Sequence, residues 1–307
     1  MSHVLITGGA GFIGSKLTEH YVNKGNKVTI IDNLSTGLEQ NIVNKVNFIN
    51  KDITTSNWTK YLPNDITHVF HLAAQSSGEI SFDDPVYDIM TNAVATLQLL
   101  KWSLENNIKK FIFASSMNVY GDVPDKPITE DYPIAPESFY GVGKVTSENY
   151  VRIFSELGLS STILRLFNVY GPGQNMANLR QGMVSIYCSY VASGKPVIVK
   201  GSEERFRDLV YINDVISAFV NASKLDSDFD IFNICSGDKM KVNMLLKKIF
   251  NAFGHSDYPY EVIAGTPRDQ FGIYGSYNKA KKDLNWKPSF SIEAGLNEMV
   301  AWIKEEN

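Results

Sequence analysis

Two cysteines in 307 residues, Cys188 and Cys235, are too few for a disulfide framework, and their spacing is not that of metal ligands. Both stand among apolar neighbours, as reduced core thiols do. No apolar run approaches the length of a membrane span, and the chain goes straight into a strand without a leader-like segment. A soluble cytoplasmic protein is the expectation. Basic residues are not in excess: 29 Lys and Arg against 33 Asp and Glu give a formal net charge of -4 and a pI near 5.8. That balance provides no basic stripe for nucleic acid or an anionic membrane, so anions must be held by local sites. Internal repeats and low-complexity linkers are missing too. His68 and His71 alternate along one strand, but no third ligand follows at metal spacing, and His71 reads as a packed imidazole. No metal is expected.

What is present is an alternation of strands and helices. His3 to Thr7 is a short buried-type strand that runs into Gly8-Gly9-Ala10-Gly11-Phe12-Ile13-Gly14 and a helix through about Asn23. Strand, glycine turn and helix, in that order, form the context a dinucleotide fingerprint requires. Glycines let the backbone approach a pyrophosphate at the helix N-terminus, where free N–H groups and the helix dipole favour anions. The next strand, Lys27 to Ile31, ends in Asp32, at the offset where a carboxylate takes a ribose 2′-hydroxyl. A carboxylate there repels a 2′-phosphate, so NAD is expected over NADP. Val46 to Ile49 leads on to Asp52-Ile53, and Ile66 to Leu72 leads to Ala73-Ala74-Gln75. Strands separated by helical patterns predict parallel βαβ units, with ligands at the strands' carboxyl ends. Asp84-Pro85 starts a helix that the pattern carries to about Asn107, with Asn92 on it.

Tyr140 and Lys144, four apart, share one face of a predicted helix that begins near Glu137. An ammonium roughly 6 Å from a phenol, at an effective dielectric near 20, contributes about 2.8 kcal/mol, or roughly two pKa units. A phenol starting near 10 then titrates near 8, and an oxidised nicotinamide beside it would lower it further. Fifteen tyrosines make about one such pair expected by chance, and Tyr277 with Lys281 is a second. The strand Phe111 to Ser116, apolar and tipped with hydroxyls, decides for Tyr140; Tyr277 and Lys281 read as surface. Gly141 and Gly143 cost that helix about 1 kcal/mol each, as either a flat ring lying against its first turn or a frayed helix end would explain. The alternation loosens after the strand Ser161 to Phe167. Residues 178–193 read as a helix, Val197 to Val199 as a strand, Glu203 to Asp208 as a charged loop, and 213–224, 242–253 and 291–305 as helices, with a strand from Asp230 to Cys235. Residues 1–168 are expected to form a Rossmann-type, doubly wound parallel α/β sheet domain. Residues 169–307 are expected to form a smaller C-terminal α/β substrate lobe, with segments near 205–235 returning to the first domain.

The ordered set Thr7 to Gly14, Asp32-Asn33, Asp52-Ile53, His71 to Gln75, Ser115-Ser116, Val119-Tyr120-Gly121, Tyr140 with Lys144, Arg165 to Pro172 and Arg207-Asp208 resembles the extended short-chain dehydrogenase/reductase family. Within that family it is similar to the nucleotide-sugar epimerases and dehydratases. The resemblance implies Ser116 as the catalytic hydroxyl, Tyr140 as the base and Lys144 as its partner. It implies Gly8, Gly11, Phe12, Ile13, Gly14, Asp32, Asn33, Asp52, Ile53, Leu72, Ala73, Ala74, Gln75, Asn92, Ser115 and Phe167 as NAD-lining positions, together with Tyr140 and Lys144. For a UDP-linked sugar it implies Ser77, Ser116, Asn168, Gln181, Arg207 and Arg268. Dehydratases of the family carry an acidic pair just after the catalytic hydroxyl, and decarboxylases usually keep a glutamate at the second of those positions. This chain has Met117 and Asn118 there, neither of which exchanges a proton near neutral pH. What remains is oxidation at one carbon and its reversal, as in a 4-epimerase. The helix carrying Asn92, paired with the Tyr140 helix, is expected to make a flat apolar surface suited to a homodimer, the alternative being that both faces pack on the sheet. Ser276 stands where an aspartate is common, and Ile273 falls near a position whose bulk helps decide whether a 2-acetamido group fits.

Overall fold

The structure is a computed structural model that describes residues 2–265 and 270–306. In chain order the elements are β1 (His3–Thr7), α1 (Phe12–Asn23), β2 (Lys27–Asp32), β3 (Asn47–Asn50), β4 (His68–His71), α2 (Pro85–Ile89), α3 (Ala95–Glu105), β5 (Lys110–Ser116), α4 (Phe139–Glu156) and β6 (Ser161–Leu166). Then follow β7 (Asn168–Tyr170), α5 (Met183–Ala192), β8 (Val197–Lys200), β9 (Phe206–Arg207), β10 (Leu209–Tyr211), α6 (Ile212–Ala222) and β11 (Phe229–Ile234). The last are β12 (Met240–Lys241), α7 (Val242–Phe253), β13 (Tyr260–Ile263), β14 (Gly272–Ile273), α8 (Asn278–Asp283) and α9 (Ile292–Glu306).

β1, β5 and β6 are buried at every position, as strands of a parallel sheet covered on both faces must be. Seven strands line up as β11-β6-β5-β4-β1-β2-β3, and β1 pairs in parallel with both β2 and β4. The strand order reverses between those neighbours, which puts the turn after β1 at the position where doubly wound sheets bind ligands. Leu5, Val69, Phe111 and Phe113 from the strands pack with Leu99 and Val151 from the helices in one core cluster. By contacts the chain divides into two units. The first is Met1–Val119, Pro136–Arg165 and Ile216–Phe232; the second is Tyr120–Ala135, Leu166–Val215 and Asn233–Asn307. The second contains three small sheets, β10-β7, β12-β9-β14 and β13-β8.

Four local expectations need correction. The helix read as continuous over 84–107 is split by a π turn over Met90–Val94, between α2 and α3. A π turn inserts one residue without changing which residues are apolar, so periodicity does not reveal it. The helix read over 178–193 begins only at Met183, after Gly182 at φ +87°. The charged stretch 203–208 is not a solvated loop. Phe206–Arg207 is a strand pairing with β12 and β14, and Arg205 and Arg207 are each 7% exposed. The short helix α8 begins directly after Tyr277, so Lys281, though exposed, lies on an element that sequence pattern did not suggest. Among the described residues, no helix is long and apolar enough to cross a membrane.

Candidate active site

The turn after β1 is shaped for close backbone approach. Gly8 has φ +71°, and a Cβ there would stand 2.9 Å from the Ala73 nitrogen; one on Gly14 would overlap the Gly8 carbonyl oxygen. α1 then starts at Phe12 with no side-chain cap on its N-terminus, which leaves donors for an anion. Asp32 is held rigidly beside this turn, its two oxygens accepting Ala10 N–H at 3.0 Å and Leu34 N–H at 2.8 Å. Asn33 donates to Asp52 at 3.0 Å. Burial pushes the Asp52 carboxyl up, but hydrogen bonds from Thr54 and Asn33 outweigh it and hold the group below the usual range. Ile53 is buried behind it, while Gly11, Phe12, Ile13, Leu72, Ala73 and Ala74 stay partly exposed along the turn and the end of β4. An uncapped helix end, a glycine cradle and a fixed carboxylate fit a dinucleotide diphosphate and a ribose hydroxyl.

Below this surface runs an ordered polar chain. Thr7 Oγ1 accepts the N–H groups of Leu72 and Ala73 at 3.1 and 3.0 Å, so its own proton goes to His71 Nδ1, 2.7 Å away. His71 Nε2 then donates to Thr96 Oγ1 at 2.9 Å, and Thr96 donates to the Asn92 carbonyl at 2.6 Å. Burial pulls the His71 imidazole down to about 3, with Lys144 adding to the effect. The neutral tautomer is fixed. Asn92 lies in the π turn, and its carbonyl also accepts from Ser147 on α4 at 2.6 Å. Its side-chain N–H donates to the Gln75 carbonyl at 3.0 Å, and its Oδ1 is buried with no partner among the described residues. An orphan acceptor at this place fits a ligand that brings its own donor.

Ser116 ends β5, and its hydroxyl accepts the Asn118 N–H at 3.2 Å. α4 begins after Ser138, whose hydroxyl caps Gly141 N–H at 3.1 Å. Two residues into the helix comes Tyr140, 7% exposed. One turn further, Lys144 donates to the Ala114 carbonyl at 2.9 Å and lies 4.8 Å from the Phe113 ring centroid and 5.7 Å from that of Tyr140. The sequence argument for a phenol near 8 is overturned for the chain alone. Burial pushes Tyr140 up to about 12, Asp88 adds to the rise, and a hydrogen bond with Ser116 opposes it. Lys144 is pulled down to about 8 by burial, against Asp88 and Glu148. The expectation counted the Coulomb attraction and left out desolvation, which reaches about 3–5 units for fully buried groups. Protein packing by itself accounts for both helix glycines. A Cβ on Gly141 would meet the Asn118 carbonyl at 2.7 Å, and one on Gly143 would meet Asn92 Cβ at 3.0 Å.

Two carboxylates in this neighbourhood, Glu148 and Asp88, had no sequence motif to reveal them, and Glu148 pairs with Arg165, the first residue of the stretch Arg165 to Pro172. Glu148 lies one turn beyond Lys144 and takes Ser115 Oγ at 2.5 Å, Arg165 Nε at 2.9 Å and Arg165 Nη2 at 2.7 Å. Ser115, expected along the cofactor, is thus tied into this buried pair. Asp88, on α2, accepts from Gln75 Nε2 at 2.8 Å. Spacing from Lys144 to Glu148 and from Asp88 to Asn92 is four residues, a signal visible only once a buried face is known. Ser77, expected against the sugar, is 5% exposed and caps the Ile80 N–H at 3.2 Å.

The remaining expected residues lie in the second unit. Phe167 is 3% exposed, its ring against Gly275. Asn168 donates to the Asp208 carbonyl at 3.0 Å, and Gln181 accepts from Asn178 at 3.4 Å. Arg207 donates to the carbonyls of Phe206, Phe271 and Gln270 at 2.8, 3.2 and 2.8 Å. Burial, then Arg205, pulls its guanidinium down to about 10. Ile273 is fully buried on β14, in register with Arg207. Arg268 lies outside the described residues. Among the described residues no cluster of metal-ligating side chains is found.

The chain is similar to the UDP-glucose 4-epimerase of Thermotoga maritima, solved with UDP-glucose, at 34% identity and TM-score 0.95, covering 99% of both chains. The UDP-N-acetylglucosamine 4-epimerase of Methanobrevibacter ruminantium, solved with UDP-N-acetylmuramic acid, is 32% identical with TM-score 0.94, covering 100% of this chain and 99% of its own. A relative of different chemistry also aligns: UDP-glucuronic acid decarboxylase 1 of Xenopus tropicalis is 28% identical, over 99% of this chain and 72% of its own. Residues 4–235, from the first strand through the seven-stranded sheet's last, match one family model, and on that match the chain belongs to the NAD dependent epimerase/dehydratase family.

Proposed function

We propose that this protein inverts C4 of a UDP-linked hexose through a transient 4-keto sugar. The observation that carries the reading is the pairing of an assembled Ser116, Tyr140 and Lys144 with two residues after Ser116, Met117 and Asn118, that have no proton to exchange. Elimination and decarboxylation need a further acid or base at that place, whereas reversible oxidation of an alcohol needs one base. Bound NAD supplies a reversible hydride acceptor beside the sugar. Ser116 hydrogen-bonds the 4-hydroxyl, and Tyr140 Oη takes its proton and later returns it. Lys144 keeps positive charge beside the phenol. Asp32 holds the adenosine ribose, and the N-terminus of α1 holds the cofactor diphosphate. Arg207, with Asn168 and Gln181, is the candidate grip on the nucleotide diphosphate, because a phosphate answers a guanidinium fork.

We also propose a two-fold dimer. Val86 and Ile89 on α2 and Val142 and Ile153 on α4 are 71, 39, 44 and 42% exposed, and the two helices pack on one another. An apolar strip of that kind suits an isologous interface.

Incubation with UDP-glucose and with UDP-N-acetylglucosamine, without added cofactor, followed by chromatographic separation of the sugars, tests the reading. The 4-epimers are expected, and the faster reaction identifies the hexose. A 4-keto product, UDP-xylose or stoichiometric free NADH would rule against epimerisation.

A further inference from the structure

The catalytic floor contains a carboxylate that the proposed chemistry does not use. Asp88 is 0% exposed. Its Oδ2 accepts from Gln75 at 2.8 Å, while its Oδ1 has no partner of full hydrogen-bond geometry among the described residues; burial raises the carboxyl above its usual range, and Gln75, Asn92 and the Lys144 charge oppose that rise. A Cβ on Gly143 would stand 3.3 Å from Oδ1, so Asp88 looks onto α4 between Tyr140 and Lys144. A buried carboxylate one hydrogen bond short is unfavourable unless a cation answers it.

Among the described residues, the charges facing this spot can be counted element by element. α4 provides Tyr140, Lys144 and Glu148; β6 provides Arg165; β4 provides His71; α2 provides Asp88. Glu148 and Arg165 neutralise each other through two contacts of 2.9 and 2.7 Å. His71 is neutral at physiological pH. β5 adds only the Ala114 carbonyl and the hydroxyls of Ser115 and Ser116. Lys144 and Asp88 are left, and they sum to zero.

We propose that Asp88 is a positioning residue that sets the charge balance of the site, so that the Tyr140 phenol gives up its proton only when a further cation, the oxidised nicotinamide ring, joins the pocket. Protonation of Tyr140 and the redox state of the cofactor then change together. Oxidation of an alcohol removes both added charges at once, its proton going to the Tyr140 oxygen and its hydride to the ring, and the sum stays at zero. The electrostatics agree in direction: Asp88 raises the Tyr140 phenol and the Lys144 ammonium alike. This inference rests on Tyr140 being the base. It does not depend on the sugar.

The test follows ionisation of Tyr140 in the holoenzyme by near-ultraviolet phenolate absorbance, with the matching Tyr140→Phe protein subtracted, the cofactor being oxidised or reduced in place with borohydride. In the wild type the midpoint is expected to be lower in the oxidised form than in the reduced form. Asp88→Asn is expected to lower the midpoints of both forms by about one to two pH units, and Asp88→Glu to restore them. A midpoint that Asp88→Asn leaves in place, or raises, overturns the proposal. If Asp88→Asn does not fold, Asp88→Ser removes the same charge and is read the same way. Failure of both neutral variants to give folded holoenzyme, with Asp88→Glu folding normally, assigns Asp88 a structural role and overturns it too. No nucleotide sugar enters the measurement, so a negative epimerase assay leaves the result interpretable.

Discussion

Lys144 lies 5.7 Å from the centroid of the Tyr140 ring, yet its ammonium donates to the Ala114 carbonyl, 2.9 Å away on β5. The lysine is fastened to the strand that carries Ser116, so strand hydroxyl and helix phenol are held in one frame. The Asp88 carboxylate raises both groups, the phenol and the ammonium.

Tyr140→Phe should reduce turnover by about 10²–10⁴-fold, the range for loss of a positioned acid or base, while leaving the NAD content of the purified protein unchanged. Steady-state kinetics and the absorbance of released cofactor measure the two. Turnover within tenfold of wild type would sink the assignment of the base.

Glu148→Ala should destabilise the protein by about 3–5 kcal/mol, because Arg165, 2% exposed, loses the carboxylate that answers its buried charge. Replacing both with methionine should recover most of the loss, since the pair itself gains little over apolar packing. Urea unfolding of the single and double variants reads the difference. A double variant as unstable as the single one would mean that shape, not charge, is at stake.

Gly141→Ala should destabilise in spite of alanine's advantage of about 1 kcal/mol in a helix. The added Cβ would stand 2.7 Å from the Asn118 carbonyl and 2.8 Å from Pro136 Cβ, and backbone on one side leaves little room to give. A net loss of about 1–2 kcal/mol is expected, with lower turnover, since Asn118 N–H holds the Ser116 hydroxyl. A stabilised and fully active variant contradicts the packing described here.

Acid should weaken the first unit through His71. Its pKa of about 3 in the fold lies below the unfolded value near 6.5, so its contribution is complete above about pH 6.5 and is lost as pH falls toward 3. Between pH 7 and 5 the loss is about 2 kcal/mol. Asp208, in the second unit, is raised by burial to about 6. It has the opposite sign: the folded state holds its proton more tightly, and that contribution is gained as pH falls through 6 toward 3.8. The test is therefore the difference between wild type and His71→Gln, which should shrink on acidification in thermal unfolding. A difference independent of pH removes the explanation.

Val86→Asp combined with Val142→Asp should give a monomer, by light scattering, without loss of secondary structure. Both side chains are exposed on the helices proposed for the interface, so the charges are solvated in the monomer and buried only in the dimer. An unchanged mass places any interface elsewhere.

The sequence alone determined the strand order of events: an apolar run, a glycine turn, an aspartate on the next strand, a hydroxyl-tipped strand and a tyrosine with lysine four residues on. Those features rest on local geometry, because backbone clearance at Gly8 and Gly14 and the helical repeat act between near neighbours. What the tertiary structure decided was the electrostatics. Whether Tyr140 titrates low or high depends on how completely it loses water and on Asp88, brought to it from another helix. Glu148 on α4 is silenced by Arg165 from β6, and the π turn that holds the Asn92 carbonyl toward Ser147 leaves the apolar pattern unaltered. Desolvation and pairing are properties of the packed interior, and residues far apart in the chain acquire them only when the fold closes around them.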